Sequence, residues 1–168
     1  MTEPRTLHCF GYVGRPYAQV RAALRSHPLD LLRSATTSAT ARASSVAANL
    51  HVHAAGFEVG VDIRPHVGRL REDEGVAGLS PVTHLELGWE ASRTPALFPS
   101  MRLELSAWPI SSSETQIEIA GSYQPPLGVV GYVVDTAVGH RIAEASVHCF
   151  LSEIIAELHR SLPATGGV

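Results

Sequence analysis

The sequence has no run of about eighteen apolar residues, the length a helix needs to cross a bilayer. It has no clustered basic face either. Net charge is −3, and arginine, which supplies the positive charge, is scattered along the chain. A nucleic-acid partner, which usually demands such a face, is therefore not expected. Cysteine is scarce: Cys9 and Cys149 read as two reduced, half-buried thiols of a cytosolic protein. A bridge tying the first strand to the last helix is sterically conceivable, but their spacing alone does not support it. Residues 1–5 are polar, and residues 7–13 are too short and too interrupted by His8, Gly11 and Tyr12 to form a secretory h-region. The expected location is thus cytoplasmic. Charge is low at 17% and hydrophobic content is 45%, enough for residues 1–168 to fold as a single domain with a sizeable core.

Motifs for covalent or phosphate chemistry are missing too. There is no Gly-x-Ser-x-Gly elbow, and neither cysteine sits in a protease-like context. Gly128, Gly131 and Gly139 form neither a dinucleotide-binding turn nor a P-loop. The carboxylates Glu72, Asp73 and Glu74 fall in a stretch that reads as a polar loop, where tuning by burial is not expected. A binding domain without cofactor is favoured over an enzyme.

What is present is periodicity. Residues 5–13 read as a strand ending at Gly14. Pro16 suits a helix start, and Tyr17, Val20 and Leu24 form a helical stripe that should stop before Pro28. Residues 29–33 allow one more short helical turn. Residues 34–45, rich in Ser, Ala, Thr and Arg, read as a linker or mobile segment, with a surface helix as the alternative. From Val46 the period becomes two, through Ala48, Leu50 and Val52, then Phe57, Val59, Val61 and Ile63. Residues 68–81 are charged and Gly-rich and read as a loop. In residues 83–91, Leu85, Leu87 and Trp89 oppose His84, Glu86 and Glu90. Met101, Leu103, Leu105 and Ala107 oppose Arg102, Glu104 and Ser106, and Ile117 and Ile119 oppose Gln116 and Glu118. Such alternation describes an antiparallel sheet with one wet face. Residues 129–162 contain no proline and read as one long helix of about 50 Å, with Gly139 a place for a bend. The order strand, helix, about five strands, long helix indicates an α+β domain.

Within residues 121–151, GSYQPPLGVVGYVVDTAVGHRIAEASVHCFL, a Tyr-x-Pro-Pro-Leu-Gly turn precedes a helix bearing Gly-His-Arg-x-Ala-Glu-Ala. This string resembles the C-terminal part of actinobacterial proteins of the START-like, or SRPBCC, superfamily, as does Leu97-Phe98-Pro99-Ser100-Met101. About a third of the chain carries these motifs. The resemblance implies the helix-grip fold: a curved antiparallel β-sheet wrapped around a long C-terminal α-helix, enclosing an apolar cavity. Members of the superfamily bind lipids, sterols, polyketides or hormones, and some are cyclases, aromatases or chaperone cofactors. The matching motifs are turns and helix surface, so they carry over no catalytic residue.

The cavity-lining candidates are the inward apolar set: Phe57, Val59, Val61, Leu85, Leu87, Trp89, Met101, Leu103, Leu105, Ile117, Ile119 and Tyr123, joined from the helix by Val133, Ala143, Val147 and Phe150. An ordinary filled core gives the same pattern. Tyr12, Tyr123 and Tyr132 are the candidate polar handles, since a buried tyrosine hydroxyl seeks a partner. His51 and His53 share a strand face at metal-binding spacing, with His84 and Glu86 as further donors. These positions alternate with the core set and should face water, so no metal is expected. His140, Glu144 and His148 read as a solvated helix face. Three functions stay open: a carrier of a hydrophobic small molecule, a polyketide cyclase or aromatase-like enzyme, and a scaffold with a collapsed interior. A homo-oligomer is compatible with each.

Overall fold

The computed structural model describes residues 5–49, 63–76, 78–91, 100–124 and 136–164, with side chains excepted at 42–49, 63–65, 89–91, 100, 124 and 136–142. The element order is β1 (Arg5–Val13), α1 (Tyr17–Ser26), α2 (Pro28–Asn49), β2 (Ile63–Asp73), β3 (Val82–Ala91), β4 (Ser100–Pro109), β5 (Thr115–Gln124) and α3 (Thr136–Ser161). The five strands form one antiparallel, curved sheet in the order β1-β5-β4-β3-β2. The chain is α+β with the helix-grip arrangement, as the sequence indicates.

Alternation fixes the two faces of the sheet. Leu85 stands opposite Leu105 and Leu105 opposite Ile119, and all three are buried. On the other face, Glu86 opposes Glu104 and Ser106 opposes Glu118. The dry face receives Val20 and Leu24 of α1, Leu31, Leu32, Ala35 and Ala39 of α2, and the buried stripe of α3, in one core. That stripe runs Ala143, Val147, Phe150, Leu151, Ile154 and Leu158, the spacing of three and four that sets one helix face against a core. Gly121 lets β5 press onto β4, because a Cβ there runs into the Arg102 carbonyl oxygen.

Three sequence expectations are corrected. Residues 34–45 are no linker: they lie in α2, a helix of 22 residues. Three of their hydroxyls, in a tract that reads as flexible, are absorbed by the helix itself. Thr36 donates to the Leu32 carbonyl, Thr37 to that of Arg33 and Thr40 to that of Thr36. Small Ala35 and Ala39 then let α2 pack against α3. Consequently Val46 and Ala48 are helical and do not begin a strand, while Leu50 and Val52 lie outside the described residues. The charged stretch at 69–73 is not a loop either but the end of β2. Its alternation is hidden by a β-bulge between Val67 and Leu70, where Gly68 and Arg69 face the single residue Glu86. The bulge keeps Val67 and Leu70 both against the core. The C-terminal helix is observed over Thr136–Ser161; residues 129–135 lie outside the described residues.

Candidate functional site in the concave interior

The interior has two ends of different chemistry. At the first, Val13, Thr115, Pro109, Thr83 and Glu72 come together with the start of α1 and the end of α3. Pro16 precedes α1, and its carbonyl accepts the first helical N–H bonds, from Gln19 and Val20. Tyr17 then shares a hydrogen bond of 2.8 Å with buried Thr83 of β3. Arg21 grips Glu72 of β2 with two bonds of 2.8 and 2.7 Å, a fork that matches the carboxylate geometry. Hydrogen bonding from Arg21 holds the Glu72 carboxyl below its ordinary range. Arg15 donates to the carbonyls of His159 (2.9 Å) and Leu162 (3.1 Å), which the end of α3 leaves without helical partners. Its positive charge sits at the negative end of the helix dipole. The Gly14 N–H donates to His159 Nε2 at 3.2 Å, and Thr115 donates to the Arg15 carbonyl at 2.8 Å. This latched end joins both terminal elements to the middle of the sheet.

At the opposite end lie Arg5, Tyr123, Met101 and the backbone of Trp89, in register with one another. Residues 50–62, 92–99 and 125–135 all attach to the elements here, at Ile63, Ala91, Ser100 and Gln124. Tyr123 is 1% exposed. Burial raises its phenol above the ordinary tyrosine value; Arg5 opposes this through charge and a hydrogen bond, and Glu144 adds to the rise. The phenol is therefore a neutral donor and acceptor at physiological pH, set among apolar side chains.

Eleven of the sequence candidates share the core of the concave interior: Leu85, Leu87, Met101, Leu103, Leu105, Ile117, Ile119 and Tyr123 from the sheet, and Ala143, Val147 and Phe150 from α3. Trp89 lies opposite Met101 in the sheet, and its side chain is outside the description. Phe57, Val59, Val61 and Val133 lie outside the described residues, as do Tyr132, His51 and His53. Tyr12 is not a handle for anything inside. It points to the outer face and is 48% exposed, because β1 alternates about buried Cys9 and Val13.

His84 faces outward as expected. It lies between Glu104 (3.0 Å) and Ser106 (2.9 Å) on Nδ1 and Asp73 (3.3 Å) on Nε2, so its neighbours flank opposite ring edges. Among the described residues no His, Cys, Asp and Glu group has the arrangement to hold a metal ion. Neither cysteine is in a disulfide. Burial pushes the Cys9 thiol up to about 11, and the Glu118 carboxylate adds to the rise. Such a thiol is a poor nucleophile at neutral pH. Among the described residues no helix is long and apolar enough to cross a membrane.

The interior also contains residues the sequence reading missed. Leu7 and Cys9 line it from β1, where the alternation through Val13 carried the signal. Leu31, Leu32, Ala35 and Ala39 wall it from α2. Their stripe is masked in the sequence by intervening Ser, Thr and Arg.

By sequence, no protein-family model and no curated protein matches the chain. Solved structures do. A conserved protein from Geobacillus kaustophilus matches with a TM-score of 0.51 at 11% identity, covering 94% of this chain and 97% of that one. The Zhui aromatase/cyclase from a Streptomyces species matches at 0.48 and 13% identity, over 99% and 100% of the two chains. Ara h 8.0201 matches at 0.38 and 9% identity, over 95% and 100%. At such identities the likeness is one of fold.

Proposed function

We propose that this domain captures a hydrophobic small molecule between the concave face of the sheet and α3, and acts as a binding or carrier domain. One observation carries the reading: the described side chains on the dry face of β3, β4 and β5 are apolar except Thr83, Thr115 and Tyr123. Thr83 and Thr115 are already bonded within the latched end. Tyr123 stands at the other end, beside the strand ends Ala91, Ser100 and Gln124. A ligand entering there would meet an apolar wall and the neutral Tyr123 phenol held by Arg5. Driving force comes from apolar area removed from water, about 25 cal/mol per Å². The chemical class that fits is a lipid, sterol or polyketide with few polar groups. The proposed wall consists of the candidate residues named above, including Phe57, Val59, Val61, Trp89 and Val133. Two thiols outside any disulfide suit a reducing compartment, and the cytoplasm is the proposed location.

The test is thermal unfolding of the protein against a panel of fatty acids, sterols and aromatic polyketides, with native mass spectrometry of the purified chain. A ligand at a hundred times its Kd stabilises by about 2.7 kcal/mol, which raises the Tm by about 5–10 °C in a chain of this size. An unliganded mass and an unmoved Tm across the panel would refute the reading.

A cyclase-like enzyme is the second reading, favoured by one observation: the buried Tyr123 phenol is bonded to an arginine in an apolar interior. In that role the pair would orient a polar group of a reactive ligand. Tyr123→Phe would then lower turnover of a bound polyketide while leaving its affinity within a few fold. Equal turnover removes Tyr123 from any mechanism.

A further inference from the structure

The outer face of the sheet is polar over most of its area, but not at the latched end. Among the described residues, the exposed large hydrophobic side chains are Phe10, Tyr12, Leu29, Val76, Leu79 and Ile110. All but Leu29 lie on the outer face of β1 or on the β4–β5 and β2–β3 turns. The register connects them: Tyr12 is opposite Gln116, and Gln116 is opposite Trp108. Trp108 and Val82 then form one side of an open notch of about 400 Å³, whose other side is the β2–β3 turn with Val76 and Leu79. Those two side chains are 67% and 69% exposed, side by side in a turn closed by the Leu79 N–H on the Val76 carbonyl. Gly78, at φ 91°, gives that turn its shape. Isolated exposed apolar groups need no explanation, but a band of them, broken only by Gln116 on β5 and leading into a notch, marks an interaction surface.

Charge around the notch narrows the occupant. Asp73 and Glu74 form its lip, and among the described residues no arginine or histidine lines it. Glu114 follows on the next turn, and Glu118 stands opposite Phe10. The nearest bases are committed elsewhere or shared: Arg71 binds Glu104, His8 binds Glu118, and His84 lies on Asp73 among two other partners. Arg21, which feels the Glu74 charge, is bonded to Glu72 on the concave side. Two copies meeting through this band would bring carboxylates onto carboxylates, and an anionic membrane would be repelled in the same way. We propose that the notch and its band dock a basic amphipathic segment of a partner protein. One aliphatic or aromatic side chain of that segment fills the notch against Trp108, and its Lys or Arg residues lie over Asp73 and Glu74. The site is on the opposite face of the sheet from the interior, so a loaded domain can be recognised without blocking its ligand.

The test uses the full chain and a fluorescein-labelled helical peptide with one face of leucine and one of lysine, read by anisotropy. A peptide with glutamate in place of lysine is the control. The Leu/Lys peptide is expected to bind at least about tenfold more tightly than the Leu/Glu peptide. The double substitution Val76→Ser with Leu79→Ser should weaken it about tenfold, and Asp73→Asn with Glu74→Gln should weaken it and flatten its salt dependence. All four positions are on an exposed turn or strand end, so circular dichroism and Tm should match the parent. Ligand-induced stabilisation through the interior should be untouched, which separates this site from the binding reading above. Equal binding of both peptides, or binding indifferent to Val76 and Leu79, overturns the proposal. So does co-sedimentation with phosphatidylcholine–phosphatidylglycerol vesicles that depends on Val76 and Leu79 while the peptide fails to bind, for that assigns the band to a membrane.

Discussion

Where Arg15, Thr115 and His159 meet, the turn after β1, the start of β5 and the end of α3 are joined by hydrogen bonds, and α1 is pinned to the sheet through Tyr17 and Arg21. Where Tyr123 and Met101 meet, the described dry face of β3, β4 and β5 offers one phenol, held by Arg5 of β1, and otherwise hydrocarbon. The first region is over-determined and holds the layers together. At the second, the Tyr123 phenol is bonded to Arg5 and feels the charge of Glu144 on α3. The proposed binding role calls for such a contrast, in which strands stay aligned at one end while the other end admits a ligand.

The largest test of that contrast is truncation of core side chains at the two ends. Leu158→Ala, at the latched end, is expected to cost about 2–5 kcal/mol in urea unfolding, because fixed neighbours cannot collapse into the space. Met101→Ala should cost less, toward the bottom of that range, and should change ligand affinity where Leu158→Ala does not. Equal costs with equal affinities would break the comparison.

Next in size is a pH effect on the Cys9 thiol. Its folded value is raised to about 11, so the unfolded chain releases this proton first. The thiol's contribution is complete below the unfolded value near 9 and is lost as pH climbs through 11, a swing of about 2–3 kcal/mol. Cys9→Ala should flatten that alkaline limb, measured by unfolding midpoints between pH 8 and about 11. In the native protein half-buried Cys149 should react with a disulfide reagent well before buried Cys9.

Arg15→Ala is expected to cost about 1–2 kcal/mol, since it strips the last carbonyls of α3 of their donors. Amide exchange should quicken in the last turn of α3 and leave its first half unchanged; uniform quickening would mean that the latch is global. Smallest is Glu72→Gln. Because Arg21 holds Glu72 low, the ion pair contributes above the unfolded carboxylate value and fades as pH falls through the folded one. The variant should show a shallower loss of stability on acidification, and an unchanged acid limb would show that Arg21 finds water as good a partner.

Much of this was legible in the sequence. Leu85, Leu87, Leu103 and Leu105 announce a half-wet antiparallel sheet because side chains on a strand must alternate. The stripe from Ala143 to Leu158 announces a buried helix face for the same kind of reason. Two places concealed themselves. In α2 the hydroxyl residues looked like a tract without structure, since a sequence does not say whether a threonine bonds water or its own helix four residues back. In β2 an extra residue shifted the alternation by one, so the strand presented a charge run with no period. Tyr12 was misassigned for a third reason: a tyrosine reads as a core residue and a surface residue alike until the parity of its strand is anchored, here by Cys9. The latch at Arg15 and the notch at Trp108 were beyond reach, because each joins residues distant in sequence.

The bulge in β2 has an evolutionary corollary. With two residues standing where the partner strand supplies one, β2 holds a spare position at its sheet edge. A chain shortened by Gly68 keeps Val67 and Leu70 pointing inward and becomes a regular ladder. A deletion elsewhere in the strand has to drag the kink along or turn a whole face outward. Length variation among descendants of this chain should therefore concentrate at that one site, and the strands at the centre of the sheet should keep their count.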